Sequence, residues 1–274
     1  YIMMRSYSGP LKAVILDWAG TTVDHGSLAP VRVLQEVFAA HGVPISEAQA
    51  RRDMGVLKKD HIRAILFEPS VSSKWRDAAR HAPTEADVEK LFTDFIPLQL
   101  ECLPRYSSVI DGVAAAAARI RKRGMKIGST TGYTRAMLEL VLRPAAEQGY
   151  APDCAITPDD VGAGRPHPWM IFANAIRLQV EPLEAIIKVG DTPVDIEEGL
   201  HAGVWTIGVA RTGNMIGLAA EDFAALAPAE QAARLESARA QLAAAGAHEV
   251  IDAVADSEAA LDAIEARIRR GERP

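Results

Sequence analysis

Lys12-Ala13-Val14-Ile15-Leu16-Asp17-Trp18-Ala19-Gly20-Thr21-Thr22-Val23-Asp24 is the stretch on which the fold turns. Its apolar residues run on without alternating, as they do in a strand covered on both faces. The run stops at Asp17, so a carboxylate is held rigidly at the strand's exit. The Gly20-Thr21-Thr22 turn that follows offers backbone N–H groups and hydroxyls suited to cradling a phosphoryl group. The same residues also read as an aspartate capping a strand before a turn.

Working outward, similar runs recur: Met125–Thr130, Asp153–Thr157, Ala185–Val189, Val204–Val209 and Glu249–Ile251. Helical patterns fill the gaps, among them the Ala-rich segment from Val113 to Arg123. Strands alternating with helices mean βαβ units, hence an α/β fold with a doubly wound, mostly parallel sheet and helices on both faces. Chemistry in such sheets sits outside the carboxyl ends of the strands. From Leu28 to Arg105 the pattern is helical without a strand. The expected division is therefore a core of 1–27 and 106–274, with a helical cap, 28–105, inserted after the first strand. The tail from Glu221 to Arg270 reads as Ala-rich, helical and solvated, with Glu230, Arg234, Glu236 and Arg239 outward.

The 274 residues suit one large domain or a core with an insert. Hydrophobic residues make up 49% and charged residues 24%, enough for a packed core, and aromatics are only 5%, so aliphatics and alanine must fill it. A net charge of -6 argues against a whole-surface fit to nucleic acid or to an anionic membrane. Cys102 and Cys154 form no CxxC pair, so neither a disulfide framework nor a cysteine-rich zinc site is expected, and reducing cytoplasm is the default compartment. No apolar run approaches the roughly 18 residues of a membrane span. Tyr1–Arg5 lacks the apolar stretch of a signal peptide.

Three further strand exits carry candidate chemistry. Ser129-Thr130-Thr131-Gly132-Tyr133-Thr134 is a hydroxyl-rich junction into a helix, able to bind phosphate or simply to cap the helix. Gly190-Asp191-Thr192-Pro193-Val194-Asp195 sets two carboxylates four residues apart, suited to a hard cation such as Mg²⁺, or to a helix cap at Asp195. Arg165, in Gly162-Ala163-Gly164-Arg165-Pro166-His167-Pro168, offers a planar fork for an anion, or a surface ion pair. Together the four elements resemble the haloacid dehalogenase superfamily: the nucleophile motif at Asp17, the hydroxyl motif at Ser129–Thr131, the basic motif at Arg165 and the acidic motif at Asp191 with Asp195. Two residues depart from its general pattern. Ala19 stands where most phosphatases of that superfamily carry the acid that protonates a leaving oxygen, and Arg165 stands where lysine is usual.

The insert offers an alternative to that acid. Wound as a helix at about 100° per residue, Asp53–Leu66 gathers Met54, Leu57, Ile62 and Ile65 into an apolar stripe. Lys58 falls inside it, beside Met54 and His61, while Lys59, Asp60 and Arg63 face the polar side. An amine in apolar surroundings is neutral more often, as a Schiff-base lysine requires, unless it snorkels to water.

Asp17–Asp24, Met54-Gly55-Val56-Leu57-Lys58 with Asp60-His61, Gly128–Thr134, and Thr157–Val161 through Gly164-Arg165-Pro166 are similar to the phosphonoacetaldehyde hydrolases, or phosphonatases, over roughly Leu11 to Gly213. That resemblance implies a Mg²⁺-dependent homodimer that cleaves a small phosphonate to acetaldehyde and phosphate. It implies a Schiff base on Lys58 and nucleophilic attack by Asp17. Metal would sit on Asp17, the Ala19 carbonyl and Asp191, with Asp195 in support; Thr131 and Arg165 would hold phosphonate oxygens; Met54 and His61 would line the imine pocket, with Tyr133 a further candidate. The rival readings are a phosphate-monoester phosphatase of the same superfamily and a phosphate- or metal-binding regulatory module without turnover.

Overall fold

The computed structural model describes residues 7–274. The reading made on Tyr1–Arg5 lies outside them. Six strands form one sheet: β1 Ala13–Leu16, β2 Lys126–Thr130, β3 Cys154–Ile156, β4 Ile186–Gly190, β5 Trp205–Val209 and β6 Glu249–Ile251. They lie in the order β3-β2-β1-β4-β5-β6, and every pairing is parallel. All six fall on the apolar runs read from the sequence. The order reverses between β1 and β4, the place where an open parallel sheet opens a crevice at its carboxyl edge.

β1 is central. Leu16 pairs with Ser129 on one side and Val189 on the other, so Asp17 leaves the sheet level with the exits of β2 and β4. The strand's two faces join different cores. Val14 and Leu16 pack into the larger cluster, whereas Ala13 and Ile15 pack with Met170, Ile171 and Ile186. This two-residue period, buried on both sides, is what the unbroken apolar run encoded. Trp18 is fully buried and meets Tyr150 edge-on, ring centroids 5.4 Å apart, anchoring the turn just after Asp17. Truncating such a side chain costs about 3–5 kcal/mol.

Six α-helices lie between β1 and β2, of which the first five are α1 Leu28–Ala40, α2 Glu47–Arg51, α3 Lys58–Phe67, α4 Pro69–Ala79 and α5 Glu85–Cys102. The rest cover the sheet: α6 Val113–Lys122, α7 Arg135–Glu147, α8 Pro158–Val161, α9 Trp169–Leu178, α10 Pro193–Ala202, α11 Ala220–Ala225, α12 Pro228–Ala244 and α13 Ser257–Arg269. The alanine run of α6 buries Ala116 and Ala117, small enough to let the helix sit close to β2. The tail carries its charges on α12, where Arg234 pairs with Glu230 and Arg239 with Asp252, but β6 interrupts its helices. Among the described residues no helix is long and apolar enough to cross a membrane.

One expectation is corrected. The helix read over Asp53–Leu66 begins only at Lys58. Gly55 has φ +99°, outside the helical region, and any Cβ there would lie 2.6 Å from Thr192 Oγ1. A glycine turn pressed against the β4–α10 junction replaces the first helical turn. Periodicity could not register it, because Met54 reaches the Lys58 side of α3 from the turn as it would have from a helix.

Candidate active site

The turn after β1 is built to hold Asp17 still. Its N–H donates to Val189 O at 2.9 Å, and Thr22 Oγ1 donates to its carbonyl at 2.9 Å. Gly20, at φ +79°, lies so close to Asp191 that a Cβ would fall 2.3 Å from Asp191 Oδ2. The nucleophile turn and the β4 exit can therefore meet only through a glycine.

Oxygens of Asp17, Asp191 and Asp195 all lie within 4.8 Å of one another, and all three residues are buried. Asp191 accepts from Thr21 Oγ1 at 3.2 Å and from the Asn214 N–H at 2.7 Å. Among the described residues no lysine or arginine forms an ion pair with it. Burial first, and then the Asp17 and Asp195 charges, push its pKa well above the carboxylate range. A buried carboxylate with no cation of its own, beside two others, fits a hard divalent cation, whose charge would remove the repulsion. Asp195 differs. Its Oδ2 accepts from Thr192, and its Oδ1 lies 3.1 Å from Arg165 Nη1 and 2.9 Å from Lys188 Nζ. Burial alone would raise its pKa, but the two cations outweigh burial and leave it low.

Arg165 makes four hydrogen bonds and one further ion pair. Nε donates to Glu198 at 3.0 Å; Nη1 meets Asp195 and the Gly55 carbonyl at 3.1 and 3.3 Å; Nη2 donates to Asp17 Oδ1 at 2.6 Å and to Thr130 Oγ1 at 2.9 Å. A lysine in its place would have three donors and no fixed fork. Lys188, fully buried in β4, donates to Thr130 Oγ1 at 2.7 Å and pairs with Glu198 at 3.3 Å. Two cations and three carboxylates thus compensate one another in a closed network. Lys188 and Glu198 were not picked out from the sequence. The signal for Lys188 was a single lysine inside the otherwise apolar Ile186-Ile187-Lys188-Val189 run, since an unpaired charge there would be prohibitive.

The helical insert completes the site from above. Lys58, at the first turn of α3, is 3% exposed, and its Nζ lies 3.6 Å from Met54 Sδ. Desolvation lowers its pKa to about 8, although the Asp17 charge pulls the other way. His61, one turn on, is also fully buried; burial, then the Lys58 charge, holds it well below its usual pKa. The opposite face is polar, as read: Lys59 pairs with Glu89, and Arg63 with Asp60 and Glu85.

One cavity joins the two sides. The core contributes Asp17, Ala19, Thr131, Tyr133, Arg165 and Asp191; the insert contributes Met54, Gly55 and Lys58. It is tight, about 20 Å³ in volume, well below the usual range of ligand cavities. Of the three consecutive hydroxyls, only Thr131 lines it. Ser129 Oγ turns to Cys154 O, and Thr130 belongs to the Arg165–Lys188 network. Asp195 and His61 sit behind the lining.

A family profile described as haloacid dehalogenase-like hydrolase matches residues 11–203. A phosphonoacetaldehyde hydrolase of Nitratidesulfovibrio vulgaris (strain Miyazaki F) is 46% identical over 274 residues, covering 100% of this chain and 98% of its own. One from Bacillus cereus is 46% identical over 255 residues, covering 93% and 97%. The crystal structure of a phosphonoacetaldehyde hydrolase like protein from Oleispira antarctica superposes with a TM-score of 0.96 at 41% identity, covering 98% of each chain. By sequence, by fold and by the groups gathered at the β1 exit, the chain belongs to the phosphonoacetaldehyde hydrolases of the haloacid dehalogenase-like hydrolase family.

Proposed function

We propose that the chain hydrolyses the carbon–phosphorus bond of phosphonoacetaldehyde, releasing acetaldehyde and phosphate. The observation that supports this most is that a buried lysine amine and the Asp17 carboxylate line one small cavity, beside Ala19 rather than an acid. Cleaving carbon from phosphorus leaves a carbanion, which no acid aimed at a leaving oxygen can help. An iminium one carbon away can take up the electron pair.

The Lys58 amine condenses with the aldehyde, losing water. Asp17 then attacks phosphorus; the carbon–phosphorus pair becomes the enamine double bond, and Asp17 carries the phosphoryl group. Water hydrolyses that acyl phosphate. The enamine takes a proton on carbon, and hydrolysis of the resulting iminium frees acetaldehyde and Lys58. Arg165 orients Asp17 and, with Thr131, faces the phosphonate oxygens. Met54 and Tyr133 wall the imine end, and His61 stands behind them to move protons through water. Asp195 acts through Arg165. Asp17, the Ala19 carbonyl and Asp191 would hold Mg²⁺, which screens the repulsion between Asp17 and an anionic phosphonate. Residues 28–105 act as a cap over a core of 1–27 and 106–274, in a cytoplasmic homodimer. Trp169 and Ile176, exposed on one face of α9, are the kind of apolar surface a second copy would cover.

The test is phosphate release from phosphonoacetaldehyde, with and without Mg²⁺, beside a panel of phosphate monoesters. Release from the phosphonate alone is expected. Turnover of the esters at equal or greater rate would replace this reading with an ester phosphatase, and no release from any of them would leave a binding module.

A further inference from the structure

Arg51, the last residue of α2 in the insert, reaches across to the core. Its Nη1 donates to the Gly26 carbonyl at 2.9 Å and to Asn214 Oδ1 at 3.1 Å, and its Nη2 donates to the Gly217 carbonyl at 2.8 Å. Asn214 answers, its Nδ2 donating to the Arg51 carbonyl at 3.1 Å. Gly217 is at φ +68°, and a Cβ there would fall 2.6 Å from Arg51 Nε, so the loop admits the guanidinium only because this residue is glycine.

The same loop, residues 212–217 after β5, is tied to both carboxylate turns. The Asn214 N–H donates to Asp191 Oδ2 at 2.7 Å, Thr212 Oγ1 donates to the Gly20 carbonyl at 2.8 Å, and the Thr212 carbonyl accepts from the Gly26 N–H at 2.7 Å. The segment that Arg51 grips leads into α1, and Asp24, Gly26 and Ser27 there all have φ between 51° and 86°. Non-glycine residues persist in that region only when their surroundings hold them. One side chain of the insert therefore grips the connection to the core and the loop that orients Asp191.

We infer that Arg51 and Asn214 form a latch through which seating of the insert and orientation of the Asp191 carboxylate support each other, making both positioning residues for the metal-dependent step. The inference deepens the proposed function and rests on its assignment of Asp191 to the cation. Coupling of this kind is reciprocal: a cation on Asp191 favours the seated insert, and loss of the latch weakens the cation. Neither residue touches the cavity, so a purely structural tie would lower thermal stability and leave cation affinity alone.

The experiment titrates Mn²⁺ into the free full-length protein by calorimetry, for the parent chain, Arg51→Met, Asn214→Ala, Arg51→Lys and the double variant, with thermal midpoints recorded alongside. The latch predicts that each single loss raises the Mn²⁺ dissociation constant about fivefold or more. It further predicts that the double variant is no worse than the worse single one, and that Arg51→Lys lies between. Unchanged affinity in the folded single variants overturns it, whatever happens to the midpoints; so do losses that multiply in the double variant. Should Arg51→Met not fold, Asn214→Ala decides alone, because it leaves the carbonyl acceptors of Arg51 in place. The titration needs no substrate. A parent chain that binds Mn²⁺ through the latch but releases no phosphate defeats the proposed function and leaves the latch standing.

Discussion

The two ends of the cavity solve opposite electrostatic problems. At the core end, Arg165 and Lys188 form ion pairs with Asp17, Asp195 and Glu198. At the insert end, the Lys58 amine meets a thioether, and it sits among Met54, His61 and the apolar side of α3. Charge is concentrated and compensated where a phosphoryl group would be handled, and excluded where an amine must be neutral. A lysine buried among carboxylates would keep its proton; a carboxylate buried without cations would keep its own. Separating the two environments by one small cavity lets the amine lose its proton more easily than an exposed lysine while the carboxylate keeps its cationic partner.

Three changes test that contrast, in falling order of effect. Lys58→Arg keeps the charge and removes the condensing amine. Turnover should fall by about four orders of magnitude or more, and borohydride treatment with substrate should no longer leave an adduct on the α3 peptide. Near-normal turnover, or an adduct on Lys59, would show that the buried amine is structural. Arg165→Lys keeps the charge at the other end but loses the fork, so Asp17, Thr130, Glu198, Asp195 and Gly55 cannot all be satisfied; turnover should drop about 100-fold or more, measured as kcat at saturating Mg²⁺. Met54→Glu, finally, brings charge into the dry end. In the parent protein Lys58 is protonated below its pKa of about 8 and neutral above it. Borohydride-trapped imine should therefore form about tenfold faster per pH unit up to that value and then level off. The new carboxylate favours the ammonium, so the plateau should move to higher pH and the rate at pH 7 should fall about tenfold for each unit of that shift. A profile unchanged by Met54→Glu would mean that the neighbouring side chain does not govern the amine.

Much of this was legible along the chain because it is local. Six apolar runs ending in Asp17, Thr131, Asp191 and their neighbours announce a parallel sheet and its chemical edge, and period alone separates Lys58 from Lys59. The start of α3 was misread because hydrophobic spacing does not report φ, and Gly55 turns the chain where a helix was expected. Lys188 escaped notice because a lysine within a strand acquires meaning only once Glu198 and Asp195 are known to face it. The Arg51–Asn214 pair spans 163 residues and has no local signature at all. Residues that act through a neighbour on the same turn can be read from a string; residues that act through a distant loop wait for coordinates.

The two acceptors already held by Arg165 Nη2 have a consequence for ligand traffic. A phosphonate that reaches Nη2 can gain a hydrogen bond only as Asp17 or Thr130 lets go, so docking there is an exchange, with net gain well below that of a bare cation meeting an anion. The same arithmetic runs in reverse when inorganic phosphate departs: Asp17 and Thr130 stand ready to reclaim the donors it vacates. A site so arranged gives up some grip on the incoming molecule and in return does not become trapped by its own product.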